Sequence, residues 1–193
     1  MIDPVLPVYT LPKQLRTQRL LLRPVRLTDA QAMFDYASDP QMTRFVTWPV
    51  HRTLDDTYRF LSNVVRQYEL GPVTTWGIVD NSTNVFIGTI GCHGIDRDNL
   101  RTEAGYAIAR SHWGRGLMTE ALRAWIDMMF RHTDLNRIEA FYTPENPASG
   151  RVMEKAGMSF EGFLRQCRIV KQRTIDLKLY AILRSDWEAM TRR

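Results

Sequence analysis

The sequence is short of cysteine, of long apolar runs and of clustered charge, and each shortage narrows what the chain can be. Only two cysteines occur in 193 residues, Cys92 and Cys167. Both fall in segments that read as strands, and neither has another Cys or a His at metal-ligand spacing, since the adjacent His93 is too close to Cys92 to chelate with it. Cysteine is among the most buried residue types, so two buried free thiols are expected and no metal. No apolar run approaches the ~18 residues needed to span a bilayer. The first residues, Met1 to Pro7, lack a basic start followed by an apolar stretch, so no signal peptide is expected, and a cytoplasmic location without membrane contact is the default.

Low-complexity segments, internal repeats and composition breaks are absent as well. The chain therefore reads as one domain over 1–193, preceded by an irregular arm over 1–14 that carries Pro4, Pro7 and Pro12. Its 44% hydrophobic and 24% charged content is ordinary for a globular protein with a core. The net charge is +5, but the basic residues are spread along the chain. Without a Lys/Arg cluster no direct nucleic-acid binding is expected, and a phosphate-bearing ligand would equally favour a basic mouth.

Local signals place the elements. A strand over 19–26 contains Pro24, which favours an edge or bulge. Thr28-Asp29-Ala30-Gln31 has capping-box spacing and opens a short helix that Asp39-Pro40 ends. Thr53 to Asp56 caps a second helix with apolar residues at helical spacing from Leu54 to Tyr68, stopped by Gly71-Pro72. Strands over about 73–80, 85–95 and 102–109 are separated by polar turns and read as an antiparallel meander.

A helix over about 115–132 is apolar around most of its girth and must pack on several sides. A strand over 137–142 follows, then a helix over 147–156 with Asn146 as N-cap, Pro147 at N1 and Gly157 after its end. Strands over 160–170 and 174–183 and a short final helix close the chain. The order predicts a mixed sheet flanked by helices, with 102–142 as a parallel strand–helix–strand unit.

One turn carries the main chemical signal. Between the strand ending near 109 and the long helix lies Trp113-Gly114-Arg115-Gly116-Leu117-Met118-Thr119. Unpaired N–H groups at a helix start carry the positive end of the helix dipole, and glycines let anionic oxygens approach the backbone. Arg115 adds charge and Thr119 a hydroxyl, a combination suited to a diphosphate. The spacing fits neither a P-loop nor a dinucleotide fingerprint.

Trp113 to Ala121 resembles motif A of the GNAT superfamily of N-acetyltransferases, and in particular its RimJ/RimL-type branch. Leu15 to Pro24, Glu103-Ala104-Gly105-Tyr106, Asn146-Pro147-Ala148-Ser149 and Val152 to Met158 resemble further segments of that branch, in the expected order over about residues 15–183. Two positions depart from the superfamily pattern: Trp113 stands for Gln or Arg, as is usual in the branch, and Met118 for Gly or Ala, where it narrows the cradle or turns into the core.

The resemblance implies a single-domain α/β (α+β) fold, with a mixed, mostly antiparallel sheet of about seven strands and helices on both faces. It implies transfer of an acetyl group from acetyl-CoA, without a metal, to a primary amine by direct attack through a tetrahedral intermediate. The acceptor reading is a protein N-terminal amine of the ribosomal-protein type. A small-molecule acceptor (polyamine or aminoglycoside) and a non-catalytic acyl-CoA-binding module of the same fold are the alternatives. Branch members are often dimers, so a homodimer is among the expected assemblies.

By the same resemblance, Ile108, Ala109 and Arg110 meet the cofactor through the main chain. Trp113, Gly114, Arg115, Gly116, Leu117, Met118 and Thr119 hold its diphosphate, and Asn146 its pantetheine arm. Ser149 is the expected donor to the departing sulfur. Glu103 is the candidate base, with an ion pair to a nearby arginine as the competing reading. An α-amino group, with a pKa near ~8 against ~10.4 for lysine, needs little help from a base. Phe45 to Trp48, Asp55 and Asp56 are candidates for the acceptor side, against core packing and helix-dipole preference.

Overall fold

The computed structural model describes residues 11–71 and 73–192, so most of the arm expected over 1–14, and the Pro72 stop, lie outside the described residues. Strands β1 (Leu15–Arg16) and β2 (Leu20–Pro24) lead into helices α1 (Ala30–Ala37) and α2 (Leu54–Leu70). Strands β3 (Thr75–Asp80), β4 (Val85–Asp96) and β5 (Arg101–Ile108) follow, then α3 (Leu117–His132), β6 (Arg137–Tyr142) and α4 (Pro147–Lys155). Strands β7 (Ser159–Val170) and β8 (Arg173–Leu183) and helix α5 (Arg184–Thr191) complete the domain.

All eight strands form one sheet in the order β1-β2-β3-β4-β5-β6-β8-β7. The eighth strand beyond the expected seven is the two-residue β1, which pairs Leu15 and Arg16 with Leu22 and Leu21 and is too short to show a pattern. Every pairing is antiparallel except β5 with β6, the two strands joined through α3.

Each face of the sheet has its own core. On one face α3 buries Leu117, Met118, Ala121, Leu122, Trp125, Ile126, Met128, Met129 and Phe130 against Trp76, Ile90, Ile138 and Tyr180. The Trp125 ring meets Trp76 edge-on at 6.4 Å. On the other face α1 and α2 cover Val79, Phe86 and Ala107 with Met33, Tyr36, Leu61 and Val64. Each such side chain contributes roughly 1.5–3 kcal/mol when removed from water, so α3, with nine of its sixteen residues buried, is the most firmly held helix.

The ends of the helices show where local signals hold. Thr53 caps α2 as expected: its side chain accepts the Asp56 N–H and the Asp56 carboxylate accepts the Thr53 N–H at 3.0 Å. The box expected over Thr28–Gln31 does not form. A 3-10 turn, Leu27–Asp29, precedes α1 instead, and the Asp29 carboxylate takes the Arg26 N–H and both terminal nitrogens of Arg23. Gln31, the far member of the expected box, donates to Asp35 at 2.8 Å instead.

Asn146 occupies the N-cap position of α4 but makes no side-chain cap bond, a correction to the capping expectation. The cysteines also part company. Cys92 is buried, and burial pushes its thiol up to about 11, whereas Cys167 is exposed where β7 bulges.

At the far end of α3, Arg184 donates to the carbonyls of Leu135, Phe130 and Thr133 at 2.7–2.9 Å and stacks over the Phe130 ring. The last carbonyls of a helix lack internal partners, and a guanidinium satisfies several at once. Replacing Arg184 by alanine is expected to lower the urea-unfolding free energy by about 2–3 kcal/mol. A loss below about 0.5 kcal/mol would show that water caps the helix equally well.

Candidate active site

Strands β5 and β6 share a parallel ladder only through Arg101–Arg137, Thr102–Ile138 and Glu103–Glu139. Beyond Glu103 they separate. The cause lies in β4, where His93 and Gly94 together oppose Glu103, with Gly94 at φ +83°. A bulge of this kind bends its strand and increases the local twist, and β5 follows β4 away from β6. Glu103 stands at the base of the resulting fork. Both its oxygens are held by Arg168, at 2.8 and 2.9 Å, and Arg168 also lies 4.9 Å above the Phe141 ring. The expected base is therefore committed to an ion pair, the competing reading for this residue.

The register of β5 decides which backbone groups face the fork. Ala109 N–H donates to the Ile87 carbonyl at 2.8 Å, making 87 and 109 a hydrogen-bonded pair. Antiparallel pairs alternate, so Gly105 and Ala107 also spend their backbone groups on β4, while Tyr106 and Ile108 turn theirs toward β6. Of the three main-chain contacts expected, Ile108 faces the fork. Ala109 does not, because its N–H is already used. The Arg110 side chain is drawn away to Asp39 at 2.7 Å, where a Gln41 N–H and this guanidinium hold the carboxyl below its usual range.

Helix α4 faces the fork from the β6 side. Gly150 lets it lie close to the sheet, since a Cβ there would stand 2.5 Å from the Tyr142 ring. The approach brings Ser149 Oγ to 2.9 Å from the Tyr106 hydroxyl, across the gap between the strands. Burial raises the Tyr106 phenol, so it stays protonated as a donor. Asn146, half-buried beside Ser149, has its side chain free of capping duty.

The glycine turn sits at the mouth of the fork. Gly114 and Gly116 hold φ +73° and +74°, a left-handed conformation costly for other residues. Nothing lies within 4 Å of a Cβ placed on Gly114, and only an Arg19 nitrogen, at 3.7 Å, near one placed on Gly116. The turn is thus an open concavity with backbone N–H groups at a helix start, and it fits a diphosphate.

Leu117 and Met118 are buried in the main core, so they can offer a ligand only their N–H groups, and Met118 does not narrow the cradle. Thr119 is half-buried one turn into α3, and Arg115 is exposed. The Trp113 indole donates to the Ile108 carbonyl at 2.9 Å, tying the turn to the end of β5.

Opposite α3, the β7–β8 hairpin reaches over the sheet. Lys171 at its tip donates to the Thr43 carbonyl at 2.6 Å, and Arg44 meets Glu145 at 3.5 Å. These contacts bring the loop between α1 and α2, with Phe45 and Trp48, toward the hairpin. Asp56, a candidate for this side, is occupied in capping α2. Among the described residues no group of His, Cys, Asp or Glu converges as a metal site.

Comparison with known proteins bears on the family and the fold. Residues 19–159 match the family described as acetyltransferase (GNAT) domain. The chain is similar to the uncharacterized N-acetyltransferase p20 of Bacillus licheniformis, with 34% identity over 174 residues, 90% of this chain and 97% of that protein. It is 28% identical over 182 residues to the ribosomal protein uS5-alanine N-acetyltransferase of Escherichia coli strain K12, covering 90% and 92%. Among solved structures, a GNAT-family acetyltransferase from Bacillus anthracis superposes with a TM-score of 0.80 at 28% identity, covering 89% and 99%.

The buried phenol gives a test by titration. A folded-state pKa raised above the usual ~10 contributes stability that is full below that pH and is lost as pH rises through it. Tyr36, Tyr68 and Tyr180 shift in the same direction. Tyr106→Phe is therefore expected to flatten, without abolishing, the fall in urea-unfolding free energy above pH ~10. An unchanged slope would mean that the phenol reaches water.

Proposed function

The chain belongs to the GNAT acetyltransferases, and from that premise we propose that it acetylates the primary amine at a protein N-terminus. The observation that carries the reading is the fork between β5 and β6, with the glycine turn at its mouth and Ser149 across it from Tyr106. Acetyl-CoA supplies the acyl group as a thioester. Every other requirement falls to the chain.

The left-handed glycines and the start of α3 receive the diphosphate through backbone N–H groups, and Arg115 and Thr119 stand beside them. Ile108 N–H, directed into the fork, pairs with the extended arm as a neighbouring strand would and meets its carbonyl oxygen. Asn146 holds the same arm from the opposite side.

Ser149 donates toward the departing sulfur. The Tyr106 hydroxyl, 2.9 Å away, orients the serine. A serine is a weak acid, so it polarises the leaving group and leaves full protonation to water.

The acceptor reading draws on two supports. One relative acts, by its name, on an alanine of a ribosomal protein. The other is chemical: Glu103, the carboxylate at the fork, is locked to Arg168, so the site offers little general-base help. An α-amino group, with its pKa near ~8, keeps a neutral minority of roughly a fifth at physiological pH and needs little. A lysine or polyamine nitrogen needs far more.

Acetyl-CoA is expected to raise the melting temperature, and Gly116→Trp, which fills the open face of the turn, is expected to abolish the rise. No shift of the wild-type protein at saturating acetyl-CoA would end the reading. Ser149→Ala is expected to slow release of free thiol about 10–100-fold with an α-amino peptide while leaving the acetyl-CoA melting shift in place. Undiminished turnover would remove the serine from the reaction. Binding without thiol release from peptides, polyamines or aminoglycosides would favour the non-catalytic acyl-CoA-binding module.

A further inference from the structure

Arg19 stands nearly a hundred residues before the glycine turn, yet its side chain ends there. The guanidinium donates from Nε to Glu120 at 2.6 Å and from Nη1 to the Arg115 carbonyl at 2.9 Å. Its main-chain N–H also reaches Glu120, at 2.9 Å, and Thr17 Oγ1 donates to the same carboxylate oxygen at 2.6 Å. The remaining nitrogen, Nη2, lies 3.7 Å from where a Gly116 Cβ would stand. We propose that Arg19 is a positioning residue for the diphosphate turn, fixing its backbone and placing Nη2 at the rim where phosphate oxygens approach. The proposal rests on the acetyl-CoA reading above.

Two electrostatic difficulties are resolved by this arrangement. Gly114-Arg115-Gly116 can receive an anion only if its N–H groups face it and its carbonyls face away. A flexible turn would sample both directions. The bond from Nη1 to the Arg115 carbonyl gives that carbonyl a partner and holds its peptide in one orientation. Preorganised donors bind an anion without first having to reorient.

The second difficulty is Glu120. An acidic residue in the first turn suits the helix dipole, but its charge would stand one turn from a diphosphate and repel it. Thr17, the Arg19 N–H and the Arg19 guanidinium all bind it. Burial works to raise the carboxyl, and these donors outweigh burial and hold it below its usual range. Glu120 therefore stays ionised, and its charge is met by Arg19 rather than presented to the ligand. The Asp80 carboxyl is likewise held low, chiefly by Ser82 and in lesser part by the charges of Arg115 and His112.

The test compares Arg19→Ala and Arg19→Lys with the wild-type protein in three readouts. These are CoA affinity by calorimetry, KM and kcat for acetyl-CoA, and turnover of acetylpantetheine, a thioester without the diphosphate. Arg19→Ala is expected to weaken CoA binding and raise KM about tenfold, with kcat within about twofold and acetylpantetheine turnover unchanged. Arg19→Lys, which keeps the charge and loses the fork, is expected to recover only part of the affinity.

Unchanged CoA affinity in the alanine variant would overturn the proposal. So would an equal loss with acetylpantetheine, the mark of a merely structural residue. Should the alanine variant not fold, a lysine variant with wild-type CoA affinity would overturn it on its own. A wild-type protein that binds no CoA would instead be a failure of the acetyl-CoA reading, a separate outcome.

Discussion

Strands β5 and β6 are parallel neighbours for three residues and then part, leaving backbone groups without a strand partner. A sheet rarely leaves interior hydrogen-bonding groups unpaired, because each one buried costs free energy comparable to a lost bond. Here the gap is built in. The β4 bulge bends β5 aside, Arg168 and Glu103 brace the point of divergence, and Tyr106 with Ser149 spans the gap further along. The candidate site is thus an interrupted sheet, open where a further strand would pair.

The rest of the apparatus is arranged around that interruption. Helix α3 begins where β5 ends, so its dipole points at the mouth of the fork, and its enclosed core face keeps it from shifting when an anion binds. Burial of Leu117 and Met118 shows how one turn of helix serves both purposes. The side chains secure the core while the N–H groups of the same residues, in the first turn, have no partner within the helix. Helix α4 is set close by Gly150 on one side and by the bond from Tyr180 to Glu154, at 2.7 Å, on the other.

What could be read from the sequence follows the range of the interactions concerned. The glycine turn, the long apolar helix and the Thr53 cap are contiguous, and local chemistry identifies them, whereas the Asn146–Ser149 segment stands out only through the family resemblance. Partners far apart in the chain left no such mark. Ser149 lies 43 residues from Tyr106, Arg168 lies 65 from Glu103, and Glu120 lies 101 from Arg19. The same reasoning explains the misreadings. Residue type alone makes Cys167 a buried thiol, but the β7 bulge, with Gln166 at φ +49°, leaves it exposed. Asn146 is a good cap by type, yet its backbone, at ψ 63°, departs from the usual cap conformation. No local pattern showed that Ala109 would spend its N–H on Ile87, because that depends on register.

The two contacts between the α1–α2 loop and the far half of the sheet differ in kind. Arg44 and Glu145 are each 65% exposed and 3.5 Å apart, a surface ion pair worth little and weakened by salt. Lys171 donates to a neutral carbonyl, and desolvation lowers its pKa. A charge–dipole bond of that sort is hardly touched by counterions. Ionic strength therefore acts on the two unequally, so rising salt loosens the Arg44 side first while the hairpin tip stays attached. The two attachments of the α1–α2 loop therefore answer to different conditions, one to ionic strength and the other to solvation.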